Sequence, residues 1–188
     1  MADLGIGIVG AAGRMGRALT RAVAESAGCR VVAATESANH PLLGHDAGVL
    51  AGMDALGVEL FEDANALFET SDAVLDFTIP AVTVNHGALA ASAGTILVTG
   101  TTGLDADQQA KIMAASKKVA IVQAPNFSVG VNLAMALVEQ TARVLGEEFD
   151  IEIVEMHHRH KVDSPSGPAL GLGQAAALGR WVNLDAVS

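Results

Sequence analysis

The chain has 188 residues, of which 51% are hydrophobic and 17% are charged, and its formal net charge is −10. This composition supports a sizeable apolar core, and the acidic balance argues against a nucleic-acid partner or an anionic membrane surface. The single cysteine, Cys29, excludes a disulfide framework and a cysteine-based zinc site. No apolar run reaches transmembrane length and the N-terminus lacks the basic start of a signal peptide, so we expect a soluble, cytoplasmic protein.

Short apolar runs alternate with helical patterns over the first two thirds of the chain. Residues 4–9 predict a strand that ends at Gly10, and apolar residues from Met15 to Val23 recur at helical spacing. Further strands are predicted at 31–35, 73–77, 95–98 and 119–123. Strand and helix in series predict an α/β fold, a Rossmann-type doubly wound parallel sheet, which we place in a domain over residues 1–127.

Other segments of this alternation are marked less regularly. Asp105 and Gln108 form a candidate capping box for a helix that ends near Lys117 and Lys118. Residues 39–62 carry several glycines and a weak strand at 58–60, and we interpret them as a connection that replaces a regular helix.

The remaining residues, 128–188, predict the start of a second, α+β domain. A long helix is predicted at 128–146, with Val129, Leu133 and Leu137 on one stripe. A strand is predicted at 149–156 and a second helix at 166–180.

A glycine-rich turn follows the first predicted strand and consists of Gly10, Ala11, Ala12, Gly13, Arg14, Met15 and Gly16. Such a turn from strand to helix presents backbone amides to a pyrophosphate, and the helix N-terminus favours the negative charge. The alternative is a tight turn that binds nothing, because the spacing is a variant of the usual dinucleotide-binding pattern.

Glu36 strengthens the prediction of a dinucleotide cofactor. It ends the second predicted strand, 20 residues after Gly16, where an acidic residue typically binds the adenosine ribose. The alternative is an ordinary exposed glutamate. Two more loops follow predicted strands and are placed to face a cofactor, although each alone is also typical of ordinary turns: Gly100, Thr101, Thr102 and Gly103, and Ala124, Pro125, Asn126 and Phe127.

Five basic or imidazole residues are consecutive from His157 to Lys161. A metal site is disfavoured because neighbouring residues of a strand point to opposite faces and no cysteine is nearby. A solvated basic patch remains possible. In a catalytic site, a histidine would exchange a proton, Lys161 would supply a proton or hold an anion, and the amides of Ser166 and Gly167 at a helix start would bind a carboxylate.

On these residues the chain resembles the dihydrodipicolinate reductase family, which acts in the diaminopimelate route to lysine. Five motifs carry the resemblance, in the order in which the family has them: Gly10 to Gly16, Asp76 to Pro80, Gly100 to Gly103, Asn126 to Gly130, and Glu155 to Ala169. Together they span almost the whole chain, which is far more specific than any one of them.

The resemblance implies a division of roles between two sets of residues. NADH or NADPH would reduce a cyclic, unsaturated imine that carries two carboxylates, with His157 as proton donor or acceptor and Lys161 as a second proton donor. The substrate carboxylates would be held by His158, Ser166 and Gly167, next to Pro168. The cofactor would be lined by Gly10, Ala11, Ala12, Gly13, Arg14, Met15, Glu36, Gly100, Thr101, Thr102, Ala124, Pro125, Asn126 and Phe127. The family also implies a homotetramer for the full-length protein.

Two departures from the family pattern affect these expectations. Pro168 replaces a threonine, which removes a hydroxyl and a backbone N–H from carboxylate recognition. Family members also continue into further strands, and a lone strand at 149–156 cannot satisfy its own hydrogen-bonding ladder. We therefore expect that Ser188 is not the natural end, and that the 188-residue chain binds NADH but turns substrate over poorly.

Two other functions are consistent with parts of the sequence. A semialdehyde dehydrogenase would need a nucleophilic cysteine, and Cys29 lies just before the second predicted strand, far from the histidine cluster. A non-catalytic nucleotide-binding module is favoured by the short chain and Pro168, whereas the His157 and Lys161 pair argues against it.

Overall fold

The computed structural model of the chain describes residues 2–157, 159 and 164–187. It contains two compact units, Met1–Ala124 and Pro125–Ser188. Of the predicted site residues, His158 and Lys161 lie outside the described residues. No helix in the described ranges is both long enough and apolar enough to cross a membrane.

One parallel sheet organises the first unit. The strands found in the described residues are β1 (Leu4–Val9), β2 (Cys29–Thr35), β3 (Leu60–Phe61), β4 (Ala73–Asp76), β5 (Ile96–Thr99) and β6 (Ile121–Gln123). They pair in parallel in the order β3-β2-β1-β4-β5-β6. The chain runs outward from β1 to β3 and then returns to β4 on the other side of β1. The sheet therefore has its topological switch point between β1 and β4, where open α/β sheets bind their ligands.

Helices of the first unit follow the strands: α1 (Arg14–Ala24), α2 (Ala47–Leu50), α3 (Ala64–Thr70), α4 (Pro80–Ala93) and α5 (Ala106–Ser116). Successive side chains of a strand point to opposite faces, and the sheet has an apolar layer on each face. One layer includes Ile8 and Val23, and the other includes Phe68 and Leu97. The predicted doubly wound parallel sheet is therefore confirmed.

Local predictions in this unit succeed to different degrees. The capping box of Asp105 and Gln108 at the start of α5 is confirmed, since both side-chain-to-backbone bonds are present. Residues 39–62 do lack a long helix, but they contain α2 and the two-residue β3. Asp46 organises this connection, because its carboxylate accepts hydrogen bonds from the backbone N–H groups of Val49, Leu56, Gly57 and Val58.

The second unit contains α6 (Val129–Val144), α7 (Gly167–Gly179) and a short 3₁₀ helix (Leu184–Ala186). The two predicted helices are confirmed, with Ser128 and Ser166 as their N-caps. The two helices approach closely at Gly179, where an added Cβ would lie only 2.3 Å from the carbonyl oxygen of Glu139. The predicted apolar stripe of α6 is largely exposed, including Val129 at 84%.

The strand predicted at 149–156 is wrong. These residues have no regular secondary structure in the structure, and no strand in the described part of the second unit pairs with them. Alternating apolar residues favour a strand only where a neighbouring strand completes the ladder. Here Ile151 and Ile153 instead line a cavity of about 470 Å³ together with residues of α7 such as Gly173 and Ala176.

Candidate functional site

The glycine turn brings the N-terminus of α1 against the end of β1. Gly10 has a φ of 65°, which favours glycine, and its carbonyl oxygen accepts a hydrogen bond from the N–H of Gly13 at 3.0 Å. A Cβ at Gly16 would lie 2.2 Å from that same carbonyl oxygen. The N-cap residue of α1 is Gly13, which has no side chain to hydrogen-bond to the first-turn amides. The turn is thus shaped to leave a helix N-terminus accessible to an anion such as a pyrophosphate.

Glu36 lies beside the glycine turn, immediately after β2. Its Oε2 accepts a hydrogen bond from the backbone N–H of Ala12 at 3.2 Å, and its Oε1 accepts one from the N–H of Ser37 at 2.9 Å. The structure therefore brings this carboxylate, 24 residues along the chain, to the turn that would hold a pyrophosphate.

The loop after β5 lies against the loop after β4. The N–H of Gly100 donates to the carbonyl oxygen of Asp76 at 2.9 Å. A Cβ at Gly100 would lie 2.1 Å from the ring of Phe77, so only glycine permits the ring to take that position. Thr101 is buried, and its Oγ1 accepts hydrogen bonds from the hydroxyl of Thr83 at 2.7 Å and the N–H of Thr78 at 3.2 Å.

Asp76 and His86 form a buried pair beneath these loops. Asp76 is fully buried and His86 is 5% exposed, and Nδ1 of His86 lies 2.8 Å from Oδ2 of Asp76. Oδ1 of Asp76 accepts hydrogen bonds from the hydroxyl of Thr78 at 2.6 Å and from its N–H at 3.0 Å. Burial raises the pKa of Asp76, but the hydrogen bond and charge of His86 and the hydroxyls of Thr78 and Thr83 outweigh it, so the net pKa is lowered. The carboxyl therefore stays ionised at neutral pH.

A cavity of about 520 Å³ opens at this edge of the first unit. It lies at the carboxyl ends of strands on both sides of the switch point. Its lining includes Gly10, Gly13, Glu36, Phe77, Thr78 and His86. Of the predicted cofactor residues, Gly10, Gly13 and Glu36 line the cavity, whereas Gly100, Thr101 and Thr102 do not. Phe77, Thr78 and His86 were missed as site residues, although the motif from Asp76 to Pro80 could have pointed to the first two.

The last predicted cofactor loop, residues 124–127, contains the division between the two units. The N–H of Ala124 donates to the carbonyl oxygen of Thr99 at 3.2 Å in the first unit. In the second unit, Asn126 accepts a hydrogen bond from the N–H of Ser128 at 2.9 Å and one from the side chain of Asn132 at 3.3 Å. Asn126 thus orders the start of α6.

In the second unit, Glu155 joins two predicted site residues. Its Oε2 lies 2.8 Å from Nε2 of His157, and its Oε1 accepts a hydrogen bond from the N–H of Ser166 at 2.8 Å. The hydroxyl of Ser166 also donates to Glu155. The hydrogen bonds from the hydroxyl and then the N–H of Ser166, followed by that from His157, lower the pKa of Glu155 to about 2.

Ser166 is fully buried at the start of α7, and its Oγ accepts a hydrogen bond from the N–H of Ala169 at 3.1 Å. The predicted carboxylate-binding donors of Ser166 are therefore engaged by a carboxylate of the chain itself. Pro168 occupies the first helical turn, as a proline is tolerated there. No cluster of metal-ligating side chains is found within the described part of the chain.

A switch-point cavity with a glycine turn and an adjacent glutamate defines the class of Rossmann-type dinucleotide-binding domains. Family models for the dihydrodipicolinate reductase N-terminus and C-terminus match residues 4–127 and 130–185. The chain belongs to the dihydrodipicolinate reductase family.

Individual relatives agree with this assignment. The 4-hydroxy-tetrahydrodipicolinate reductase of Rhodopseudomonas palustris (strain HaA2) is 51% identical over 188 residues, which are 100% of this chain and 69% of that protein. The 4-hydroxy-tetrahydrodipicolinate reductase 1 of Mesorhizobium japonicum is 52% identical over 97% of this chain and 67% of its own length. The chain thus spans about two thirds of the length of these relatives.

Solved structures are similar at two levels. The dipicolinate-bound dihydrodipicolinate reductase from Paenisporosarcina sp. TG-14 is 28% identical, with a TM-score of 0.75 over 95% of this chain and 67% of that one. GenD2 from gentamicin A biosynthesis, in complex with NAD, is 17% identical with a TM-score of 0.57 over 73% of this chain and 39% of its own. The second likeness is one of fold alone.

Proposed function

We propose that the chain carries out NADH- or NADPH-dependent reduction of 4-hydroxy-tetrahydrodipicolinate to tetrahydrodipicolinate, in the diaminopimelate route to lysine. Membership of the reductase family supports this reaction. The main structural support for cofactor binding is the contact between Glu36 and the glycine turn at the switch point. Oxidation of the nucleotide that depends on the cyclic imine substrate tests the whole proposal.

The nicotinamide cofactor supplies a hydride when it is bound, and the first unit holds it. The amides at the start of α1 bind the pyrophosphate, because Gly10 and Gly16 keep side chains out of the turn. Glu36 accepts hydrogen bonds from the adenosine ribose. This assignment extends to the rest of the turn, Ala11, Ala12, Gly13, Arg14 and Met15, and to the loops Gly100–Thr102 and 124–127.

NADH is bound at least as well as NADPH in this proposal. A carboxylate at Glu36 repels a 2′-phosphate and accepts a hydrogen bond from a free 2′-hydroxyl. Ser37 follows it, where many family members place an arginine suited to the phosphate. Arg14 in the neighbouring glycine turn softens the preference.

Proton transfer is assigned to His157 and Lys161. Glu155 fixes the His157 ring from its Nε2 side at 2.8 Å, which leaves Nδ1 to exchange a proton with substrate. Lys161 is the second proton donor. His158, Ser166 and Gly167 are assigned to the substrate carboxylates, and for Ser166 this requires that a substrate carboxylate replaces Glu155 as the acceptor of its N–H and hydroxyl. Pro168 adds neither a hydroxyl nor an N–H to this site.

The same proposal covers organisation and partners. A dinucleotide-binding domain over 1–127 precedes a substrate-binding and oligomerisation domain that begins at 128. The partner is a small cyclic dicarboxylate, and neither nucleic acid nor a membrane is needed. The full-length protein is a cytoplasmic homotetramer.

A further inference from the structure

His86 has one ring nitrogen engaged and one without a partner. Nδ1 lies 2.8 Å from the carboxylate of Asp76. Nε2 makes no hydrogen bond to any residue that the structure describes. The only fully buried side-chain nitrogen or oxygen without a partner in the described part of the chain is Nε of Arg180. Nε2 of His86 therefore remains in contact with solvent, although the residue is only 5% exposed.

The solvent that reaches His86 is that of the switch-point cavity, because His86 is part of its lining. The ring is also held in place. Asp76 fixes it from the Nδ1 side, and the ring of Phe68 packs beside it with a centroid distance of 5.7 Å. Asp76 is in turn fixed by Thr78. A buried, oriented imidazole with one open nitrogen is a preorganised hydrogen-bonding group.

Asp76 occupies the Nδ1 side of the ring, so Nε2 is the atom left for a ligand. A ribose hydroxyl both donates and accepts, so it can pair with Nε2 whether or not that nitrogen carries a proton. The amides at the start of α1 already provide the site for the pyrophosphate. The group assigned to Nε2 is therefore a sugar hydroxyl.

Topology decides which sugar of a dinucleotide this is. The glycine turn follows β1 and Glu36 follows β2, so the adenosine lies on the β2 side of the switch point. His86 lies on α4, which follows β4 on the other side. We propose that Nε2 of His86, oriented by Asp76, forms a hydrogen bond with a hydroxyl of the second ribose, the one that carries the nicotinamide. This inference rests on the proposed cofactor function.

Calorimetric titration with NADH, ADP-ribose and ADP tests the assignment. ADP-ribose retains the second ribose without the nicotinamide, and ADP lacks both. His86→Asn keeps an amide N–H near the position of Nδ1 for Asp76 and removes Nε2. It should weaken NADH and ADP-ribose about two- to tenfold, the range expected for one hydrogen bond, and leave ADP unchanged. Asn85→Ala, an exposed neighbour on α4, is the matched control and should change none of the three.

His86→Gln covers the case in which His86→Asn does not fold, because its amide reaches the position of Nε2. It should bind NADH more tightly than His86→Asn, or, where that variant is unfolded, bind NADH within a few fold of the original chain. Equal weakening of NADH and ADP, or unchanged NADH binding in His86→Asn, would overturn the inference. Failure of the unaltered chain to bind NADH would contradict the proposed cofactor function and the inference together.

Discussion

Oε2 of Glu36 accepts a hydrogen bond from the backbone N–H of Ala12 at 3.2 Å, which ties the end of β2 to the glycine turn after β1. The contact places a fixed negative charge next to the helix N-terminus that would bind a pyrophosphate. A carboxylate in this place accepts from sugar hydroxyls and repels a further phosphate.

Cofactor selection should follow from this charge. We predict that NADH binds at least as tightly as NADPH, and that Glu36→Gln narrows or reverses the difference by removing repulsion of the 2′-phosphate. Fluorescence titration of both nucleotides measures this. Glu25→Gln, at the exposed end of α1, is the control and should keep the original ratio. Clearly tighter NADPH binding by the original chain would refute the prediction.

Gly16→Ala should destabilise the first unit and weaken nucleotide binding. The added Cβ would lie 2.2 Å from the carbonyl oxygen of Gly10 and 2.5 Å from Cα of Ala11, so the helix must move away from the turn. Overpacking of this kind typically costs about 1–3 kcal/mol. Gly130→Ala in α6 is the control, because its Cβ would meet nothing closer than 3.9 Å. Thermal unfolding and NADH titration together decide, and two indistinguishable variants would contradict the packing argument.

The interaction of Glu155 with Ser166 should be visible as a pH effect. The pKa of Glu155 in the folded chain is about 2, below its ordinary value of 4.5. A depressed carboxyl pKa stabilises the fold above the ordinary value, and this contribution is lost as pH falls from 4.5 towards 2. Ser166→Ala removes the largest cause and should raise the pKa towards 4.5, as measured by NMR titration of the side-chain carboxyl carbon. An unchanged titration curve in Ser166→Ala would show that this hydrogen bond does not form.

Replacement of His157 or Lys161 should lower turnover and leave nucleotide affinity nearly unchanged. Loss of a general acid typically costs about 10²- to 10⁴-fold in rate. His157→Gln is compared in steady-state kinetics with His45→Gln, which alters an exposed histidine of the first unit. Full kcat in His157→Gln would leave the cluster as an anion-binding patch only.

Predictions from sequence succeed where the cause is local. Asp105 and Gln108 are three residues apart, and both hydrogen bonds of their capping box form. The strands β1, β2, β4, β5 and β6 also follow from short apolar runs bounded by turns. Helix α4 was not predicted, because its own small apolar residues are distributed around most of its circumference and form no single apolar stripe.

Features that depend on distant partners could not be predicted. The strand expected at 149–156 requires a neighbour that no local pattern reveals. The pairing of Asp76 with His86 joins the end of a strand to the second turn of a helix, and it becomes apparent only once α4 packs on the sheet. Glu155 likewise meets Ser166, which lies 11 positions further along the chain.

The most direct test of the central claim is a single-turnover experiment with the 188-residue chain. NADH is bound first, 4-hydroxy-tetrahydrodipicolinate is added, and the absorbance of the reduced nucleotide is followed. We predict NADH oxidation that depends on both the chain and the substrate. Glu36→Gln should change how much NADH is bound, whereas His157→Gln should slow the oxidation step itself. NADH that binds and is not oxidised faster than in protein-free solution would contradict the assignment of reductase activity to this chain.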